Sequence, residues 1–314
     1  MARCCRLLLL IAFCSVVILG SAHAAQQKQK SFASPEEAVK TLVDTLKQGD
    51  TKALEALFGP GSEALVSSGD PVADKAGREK FTAMYEKKNR LDTGEAGKAV
   101  LMLGEEEWPF PIPLAKKDGA WLFDTAQGKD EMLARRIGRN ELDVIQVCMA
   151  YVDAQREYAL ADRDGDGILA YAGKFASEPG KKDGLYWETK EGEPPSPLGG
   201  LVVAAQAKGY KKSDKEAPAP YRGYFYRILE AQGPDAPGGA YDYIVRGVMA
   251  GGFALVAYPA QYGNSGIMTF IVNHDGVVYQ KDLGKNTEKT ALKMKCFDPD
   301  STWEKAPGTA AAGK

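Results

Sequence analysis

The stretch WPFPIPL at positions 108–114 restricts the fold of this chain more than any other part of the sequence. Side chains of a β-strand alternate between its two faces, so the apolar residues share one face and the prolines share the other. The two sets are Trp108, Phe110, Ile112 and Leu114, and Pro109, Pro111 and Pro113. Amides two residues apart point to the same edge, and proline has no amide hydrogen, so donors are missing along one edge only. The pattern predicts a strand at the edge of a sheet.

Helices precede this stretch, and further strands lie on both sides of it. Ser34, Pro35 and Glu37 are the residue types of a helix N-cap, a first helical position and a capping box. Two short helical segments follow, and strands are predicted at 98–104 and 120–124. This order of elements over residues 32–127 resembles the cystatin-like α+β cone fold, which nuclear transport factor 2 shares. The resemblance implies a cone-shaped N-terminal domain.

A long amphipathic helix is predicted from Lys129 to Leu160. Its apolar stripe recurs at helical spacing and consists of Ile137, Val144, Ile145, Cys148, Tyr151, Val152 and Tyr158. Residues 173–220 are rich in glycine, proline and lysine, and are predicted to be irregular with a short helix near 201–207. Strands joined by glycine-bearing turns follow. One long helix on an antiparallel meander resembles the globular domain of type IV pilins, so an α+β fold is expected for residues 128–300, with a flexible tail at 301–314.

The first 24 residues have the pattern of a cleaved signal peptide. Arg3 and Arg6 precede an apolar core of thirteen residues, Leu7–Leu19, and Ala22 and Ala24 form a small-x-small cleavage site. This core is shorter than the about 20 apolar residues that a membrane-spanning helix needs. We therefore expect cleavage after Ala24, a polar leader at 25–31, a periplasmic or secreted protein, and no transmembrane segment after cleavage.

Charge and cysteine content argue against two classes of protein. The chain has 40 basic and 42 acidic residues, so no excess of positive charge indicates a nucleic-acid partner. After removal of the signal peptide only Cys148 and Cys296 remain, which are too few for a disulfide-built scaffold. The two form one bridge or none. Because Cys148 lies on the apolar stripe of the long helix, we expect it to be a small core residue.

The stretch DRDGDGIL at 162–169 resembles the calcium loop of an EF-hand. The predicted ligands are Asp162, Asp164, Asp166 and the backbone of Ile168. A helix leads into the loop as it should, but Gly173 stands where an EF-hand has a bidentate glutamate. The nearest carboxylates that can replace it are Asp153, Glu157, Glu178 and Asp183. We expect either a structural calcium site or an acidic turn without metal, in which aspartate and glycine serve turn geometry.

The remaining polar residues give little support to catalysis. His274 is the single histidine after the signal peptide and lies in the turn NHDG, where an exposed hairpin tip is expected. A Ser–His–Asp triad would have to use it, and a zinc site of ordinary composition would lack ligands. Paired carboxylates stay an open alternative, because acidic residues are numerous. Aromatic residues of the C-terminal strands are expected in the core, with a ligand groove as the alternative: Tyr221, Tyr224, Phe225, Tyr226, Tyr241, Tyr243 and Tyr258.

Several segments spread over nearly all of the chain after residue 31 carry a family resemblance. They include FASPEEAV, WPFPIPL, ARRIGRNEL, DRDGDG, PGKKDGLYW, GGFALVAYPAQYG and FIVNHDGVVYQKDLG. With these segments the chain resembles the domain-of-unknown-function family 2950. The resemblance implies an exported bacterial protein and carries over no catalytic residues.

Three functions are compatible with these observations. The first is a non-enzymatic envelope protein that acts as a binding or accessory module for an unknown protein or envelope component. The second is a small-ligand carrier or an enzyme with a pocket in the N-terminal cone, on which Trp108, Phe110, Asp70 and Glu107 would converge. The third, which rests on the C-terminal architecture alone, is an accessory factor of pilin-like assemblies.

Overall fold

The computed structural model describes residues 28–163, 165, 167–210 and 219–308. The predicted signal peptide and the predicted calcium ligands Asp164 and Asp166 lie outside these described residues. Within them the helices are α1 (Pro35–Gln48), α2 (Thr51–Phe58), α3 (Glu63–Val66), α4 (Pro71–Lys87), α5 (Thr125–Tyr158), α6 (Gly199–Ala207) and α7 (Thr287–Lys293). The strands are β1 (Asn89–Asp92), β2 (Lys98–Leu103), β3 (Trp108–Pro109), β4 (Leu114–Lys117), β5 (Ala120–Phe123), β6 (Tyr224–Leu229), β7 (Ala231–Gln232), β8 (Tyr241–Asp242), β9 (Ile244–Val245), β10 (Val248–Met249), β11 (Ala254–Pro259), β12 (Met268–Asn273), β13 (Val278–Asp282), β14 (Cys296–Phe297) and β15 (Glu304–Lys305). The α+β class is confirmed.

The N-terminal part, residues 28–124, packs its helices against a five-stranded sheet. The strand order is β1–β2–β4–β5, and β3 pairs with β2. Helix α1 begins where the sequence predicts, because Ser34 Oγ accepts a hydrogen bond from Glu37 N at 3.2 Å. The Glu37 carboxylate in turn accepts one from Ala33 N at 3.0 Å, the residue before the N-cap, so the predicted capping box forms in part. Ala38 and Leu42 of α1 are fully buried in the core of this part.

The proline stretch does not form the single strand that its alternation predicts. It divides into β3 and β4, and β4 begins only after the last proline, at Leu114. Both strands pair with β2, but β4 lies between β2 and β5, so the edge-strand prediction is wrong for this end of the stretch. Pairing on both sides of a strand needs amide donors, and these return only after Pro113. The predicted alternation of faces holds only in part: Phe110, Ile112 and Leu114 are buried, but Trp108 is half-buried and Pro113, expected on the other face, is buried too.

The long helix α5 connects two hydrophobic cores. It starts at Thr125, earlier than the predicted Lys129, because it follows β5 almost directly. Met132 packs against the core of the N-terminal part, whereas Val144 and Cys148 are fully buried in a second core farther along the chain. The stripe predicted for this helix therefore faces the second core. Among the described residues no helix, α5 included, combines the length and the apolarity that a bilayer crossing needs.

The C-terminal part, residues 159–308, is built around a second five-stranded sheet. Its order is β15–β13–β12–β11–β6, and every neighbouring pair is antiparallel. Antiparallel hairpins are predicted here, but β15 lies in the tail 301–314 that is expected to be flexible, and that expectation is wrong at residues 304–306, because they pair with β13 and Ala306 N donates to Val278 O at 2.9 Å. The strand β11 lies between β6 and β12 and is buried along its whole length. A smaller sheet pairs β14 with β7 in parallel, which the sequence did not predict. Strand β11 contacts both α5 and α7, so it forms the centre of the second core.

The two cysteines expected after signal cleavage are both free thiols. Cys148 is fully buried on α5, and Cys296 is half-buried at the start of β14. Burial raises the pKa of the Cys148 thiol to about 12. Of the two alternatives, the unbridged one is found, and the prediction that Cys148 is a core residue is confirmed.

Candidate functional site

A large cavity of about 980 Å³ lies beside the second half of α5. Helix α6, strands β6 and β11 and the segment 175–193 enclose it. Its aromatic lining consists of Tyr151, Phe175, Tyr186, Trp187, Tyr210, Tyr221 and Tyr226. We call it the aromatic cavity. Its volume lies at the upper end of the range of about 300–1,000 Å³ that is usual for small-molecule sites.

The floor of the aromatic cavity is held rigidly by hydrogen bonds. Tyr151 is only 2% exposed, and its hydroxyl donates to Ala254 O at 3.3 Å and accepts from Gln155 Nε2 at 3.0 Å. The fully buried Gln155 amide also pairs with both backbone groups of Ala172, at 2.8 Å each. Burial raises the pKa of the Tyr151 hydroxyl, so it stays neutral. The floor therefore offers apolar surface and satisfied polar groups, with no charge.

One wall is the inner face of α6. Its lining residues recur at the spacing of a helix face and are Leu198, Leu201, Val202, Ala205 and Gln206. Val203 on the opposite face is 62% exposed. The N–H of Leu198 donates to Leu185 O at 2.9 Å, which ties the start of the helix to the facing segment. The short helix that the sequence predicts near 201–207 is thus confirmed, and it serves as a wall.

The facing wall is the segment 175–187, which the sequence predicts to be irregular. Tyr186 N donates to Phe175 O and Ser177 N donates to Tyr186 O, both at 2.8 Å, so the segment folds back on itself as a short strand-like pair. The Phe175 ring packs edge-on against Tyr151, with ring centroids 6.0 Å apart. Gly184 permits this fold, because a Cβ there would lie 2.6 Å from the carbonyl carbon of Ala176.

A third wall consists of three tyrosines. The rings of Tyr210 and Tyr221 meet edge to face, with centroids 4.9 Å apart, and Tyr221 lies 6.5 Å from Tyr226. The Tyr210 hydroxyl reaches out of the cavity and donates to Asp70 Oδ2 at 2.8 Å. Asp70 belongs to the N-terminal part, so this wall joins the two parts of the chain.

Charged side chains lie at the mouth of the aromatic cavity and are balanced in sign. The lining includes three lysines and three glutamates: Lys181, Lys182, Lys190, Glu178, Glu188 and Glu193. Outside the mouth, Lys174 Nζ lies 2.8 Å from Glu178 and 2.7 Å from Asp183. Hydrogen bonds from Lys174 and Lys181 lower the pKa of the Glu178 carboxyl. Among the described lining residues, the charges at the mouth therefore balance, and the residues deeper in the cavity carry none.

The described lining of the aromatic cavity carries no histidine and no cysteine. Its one aliphatic hydroxyl, Ser177 Oγ, accepts from Gly184 N at 3.0 Å and donates to Gly184 O at 3.3 Å, so it is engaged with the backbone. A nucleophile with a base at hydrogen-bond distance is the usual mark of covalent catalysis. The arrangement of these lining residues is suited to enclosing an apolar molecule.

The calcium ligands predicted from the sequence are only partly described. Asp164 and Asp166 lie outside the described residues. The carboxylate of Asp162 accepts from Gly165 N at 2.7 Å and from Gly167 N at 2.9 Å, so it organises the loop backbone. The side chain of Ile168 is 44% exposed. The described residues contain no group of three acidic, histidine or cysteine side chains placed to hold a metal, and the calcium site stays a prediction.

The replacement ligands considered for this loop have other roles or lie at the surface. Asp183 and Glu178 share Lys174 as a partner. Asp153 and Glu157 are exposed on α5. A twelfth-position ligand from this set stays a prediction.

The residues expected to converge in the N-terminal cone do not meet. Glu107 is at the surface, with its carboxylate oxygens 3.2 Å from Lys88 Nζ and 3.2 Å from an Arg90 nitrogen. Phe110 packs into the core, and Trp108 lies under the guanidinium of Arg135. Asp70 is 1% exposed and faces the C-terminal part. The pocket expected from these four residues is therefore not formed by them.

Of the aromatic residues that offered a groove, Tyr221 and Tyr226 line the aromatic cavity, while Tyr224 and Tyr243 are fully buried core residues. His274 is not the exposed hairpin tip that the sequence suggested. Its side chain is 26% exposed and packs edge-on against Tyr243, with ring centroids 5.8 Å apart. Sequence reasoning missed Tyr186, Trp187 and the role of α6. One feature of the sequence could have indicated this site: aromatic residues cluster with glycine and proline at 175–187.

Comparison with known proteins places the chain in one family. No curated protein and no solved structure matches the chain. A family model described as "Protein of unknown function (DUF2950)" matches residues 29–306, which is most of the chain, and the resemblance predicted from the sequence segments is confirmed. The chain belongs to this family of proteins of unknown function, DUF2950.

Proposed function

We propose that this chain is an exported, non-enzymatic envelope protein that binds an apolar small molecule in the aromatic cavity. The observation that carries the proposal is the cavity itself, about 980 Å³ in volume and lined by aromatic and aliphatic side chains. Concave, mostly apolar sites of this size with a few polar groups are the usual form of small-molecule sites. The ligand is expected in the C-terminal part, not in the N-terminal cone.

The lining specifies the class of ligand. Burying a charge without a partner is costly, and the described part of the deep lining, which includes Tyr151, Leu255 and Val202, offers no ionic partner. A charged group therefore has to stay at the mouth, where lysine and glutamate side chains are both present. We expect an uncharged apolar body that carries aromatic rings or an aliphatic chain, with any polar group at the mouth.

The proposal includes the cellular setting and the finer description of the fold. Export rests on the signal-peptide pattern at residues 1–24, which gives a periplasmic or secreted protein, and an envelope component would supply the ligand. A cystatin-like cone for the N-terminal part is supported by the contact of α1 with β5. A pilin-like arrangement of the C-terminal part is supported by the contacts of α5 with β11, β12 and β13. A structural calcium ion in the acidic loop belongs to the same proposal.

A paired substitution on α6 tests this function. Ala205 lines the cavity and is half-buried, whereas its neighbour Ala204 is exposed and is not part of the lining. Ala205→Trp would place an indole inside the cavity, and Ala204→Trp would place the same group in solvent. Binding is measured by the fluorescence of two uncharged dyes, Nile red and N-phenyl-1-naphthylamine, titrated with purified protein.

We expect saturable binding of at least one dye to the wild type, a loss of affinity of about tenfold or more in Ala205→Trp, and an affinity within twofold of wild type in Ala204→Trp. Such a loss corresponds to about 1.4 kcal/mol of binding free energy. Absence of saturable binding of either dye to the wild type would overturn the proposal. Equal binding by the two tryptophan variants would overturn it too, because the dye would then bind elsewhere.

A further inference from the structure

Asp70 is a buried carboxylate shared between the two parts of the chain. It is 1% exposed. As the N-cap of α4 it accepts hydrogen bonds through Oδ1 from Val72 N at 3.1 Å and Ala73 N at 3.0 Å. Through Oδ2 it accepts from the Tyr210 hydroxyl at 2.8 Å and from Gly223 N at 3.0 Å. No lysine or arginine of the described residues lies within 4.0 Å of it, so uncharged donors from both parts hold the carboxylate.

Asp70 meets a tight turn at residues 221–224. Arg222 has φ 56° and Gly223 has φ 77°, so both central residues of the turn are left-handed, as in a two-residue hairpin turn. Tyr221 and Tyr224 exchange backbone hydrogen bonds across the turn, at 2.8 and 3.2 Å. The N–H of Gly223 donates to Asp70, and the N–H of Arg222 donates to the Tyr210 hydroxyl at 3.3 Å. A left-handed conformation is unfavourable for a residue such as arginine and persists only where surrounding contacts impose it.

Close packing fixes this turn further. Gly223 has a φ of 77°, which disfavours any other residue, and a Cβ there would lie 2.6 Å from Asn140 Nδ2 on α5, so a larger residue would also have to displace that side chain. The Arg222 guanidinium donates to Asp143 Oδ2 at 2.7 Å, also on α5. The turn is therefore held between α5 and the start of α4.

The turn and Tyr210 belong to the wall of the aromatic cavity. The rings of Tyr210 and Tyr221 both line the cavity, while the hydroxyl of Tyr210 lies on Asp70. We infer that Asp70 is a positioning residue for ligand binding: it fixes the tyrosine wall of the aromatic cavity from the N-terminal part. This inference rests on the proposed binding function. A wall fixed in advance loses less conformational entropy when the ligand binds, so the affinity depends on the link.

Thermodynamic linkage gives the inference a second consequence. If the link to Asp70 raises the affinity for a ligand, the bound ligand must stabilise the link by the same factor. The amides of Val72 and Ala73, which bond to the same carboxylate, report on the link from the far side of the interface. Ligand binding in the C-terminal part should therefore stabilise the hydrogen bonds at the start of α4 in the N-terminal part.

The experiment uses Tyr210→Phe and Asp70→Asn, with Tyr262→Phe as the matched control. Tyr210→Phe keeps the ring of the wall and removes only the hydroxyl. In Asp70→Asn, the oxygen that remains can still cap α4, but an amide nitrogen cannot accept from Tyr210 or Gly223. Tyr262 also donates from its hydroxyl to a carboxylate, Asp282 Oδ2 at 3.1 Å, and does not line the cavity. Affinity for Nile red or N-phenyl-1-naphthylamine, whichever dye the wild type binds, is measured with each folded variant, together with hydrogen exchange at Val72 and Ala73.

We expect Tyr210→Phe and Asp70→Asn each to weaken dye binding by about tenfold, which is the size of effect expected for a hydrogen bond to a charged group. The double variant should bind dye only slightly more weakly than either single variant, because both substitutions remove the same hydrogen bond. Dye should slow exchange at Val72 and Ala73 in the wild type and not in Tyr210→Phe. If Asp70→Asn fails to fold, Tyr210→Phe still decides the question. Affinities within twofold of wild type in a protein that binds dye overturn the inference alone, whereas a wild type that binds no dye overturns the proposed function.

Discussion

A close approach between the start of α5 and the proline stretch gives a sharp test of the fold. A Cβ at Gly128, in the first turn of α5, would lie 2.3 Å from Pro111 O, 2.6 Å from Pro111 C and 2.7 Å from Ile112 Cα. These are backbone atoms, so no side-chain rotation relieves the contact. In Gly128→Ala the helix and the stretch would have to separate. By contrast, nothing lies within 4 Å of the Cβ position of Gly138 in the same helix.

The expected magnitudes follow from these distances. Overpacking of this kind costs about 1–3 kcal/mol, and the gain in helix propensity from alanine returns up to about 1 kcal/mol. We expect Gly128→Ala to lower the free energy of unfolding by about 1–2 kcal/mol. Gly138→Ala gains helix propensity without any overpacking, so it should raise the free energy of unfolding by about 0.5–1 kcal/mol.

Urea unfolding followed by far-ultraviolet circular dichroism measures both variants against the wild type. The order of midpoints should be Gly138→Ala, wild type, Gly128→Ala. A midpoint for Gly128→Ala at or above that of wild type would refute the packing of α5 on the proline stretch. A midpoint for Gly138→Ala below wild type would refute the open, helical environment assigned to that residue.

Two further predictions concern the acidic loop and the buried thiol. If the loop binds calcium structurally, a chelator should lower the melting temperature of the wild type and leave that of Asp164→Ala unchanged. If the chelator does not change the melting temperature of the wild type, the prediction of a calcium site is wrong. With burial raising its pKa to about 12, Cys148 should resist iodoacetamide at pH 8 until urea unfolds the protein. Mass spectrometry after alkylation locates the adduct, and rapid labelling of Cys148 in the folded protein would contradict its place in the core.

The sequence predicts the regular elements well because their signals are local. The N-cap at Ser34 forms as its residue type indicates, and Glu37 reaches back to the amide of the preceding residue, Ala33. The stripe of α5 buries Val144 and Cys148 as its spacing indicates. The proline stretch was only half predictable. Its alternation indicates that Phe110, Ile112 and Leu114 are buried, but not that Pro113 is buried with them. The pairing partners of β4 depend on β5 and on where the amide donors return.

The candidate site was largely hidden in the sequence because its walls have no periodicity. The segment 175–187 forms its strand-like pair through backbone bonds between Phe175, Ser177 and Tyr186, and such pairing leaves no regular pattern of side chains. Asp70 and Tyr210 are 140 residues apart, so no local signal relates them. The sequence interpretation placed Asp70 in a pocket of the N-terminal cone, and only the fold could show that it faces the C-terminal part.

Several hydrogen bonds besides the one from Tyr210 hold the N-terminal part in place. Asn264 Nδ2 of the C-terminal part donates to Ser67 O at 2.8 Å, and Arg136 of the connecting helix α5 donates to Leu65 O at 2.7 Å. Polar interfaces of this kind permit relative motion of the parts unless enough bonds hold them together. With these other bonds intact, Tyr210→Phe should leave the two parts docked while freeing the tyrosine wall. Losing the bond to the buried carboxylate costs about 1–3 kcal/mol of stability, so the melting temperature should fall by a few degrees while the protein stays folded, and the dye affinity, which depends on the position of that wall, should fall as well.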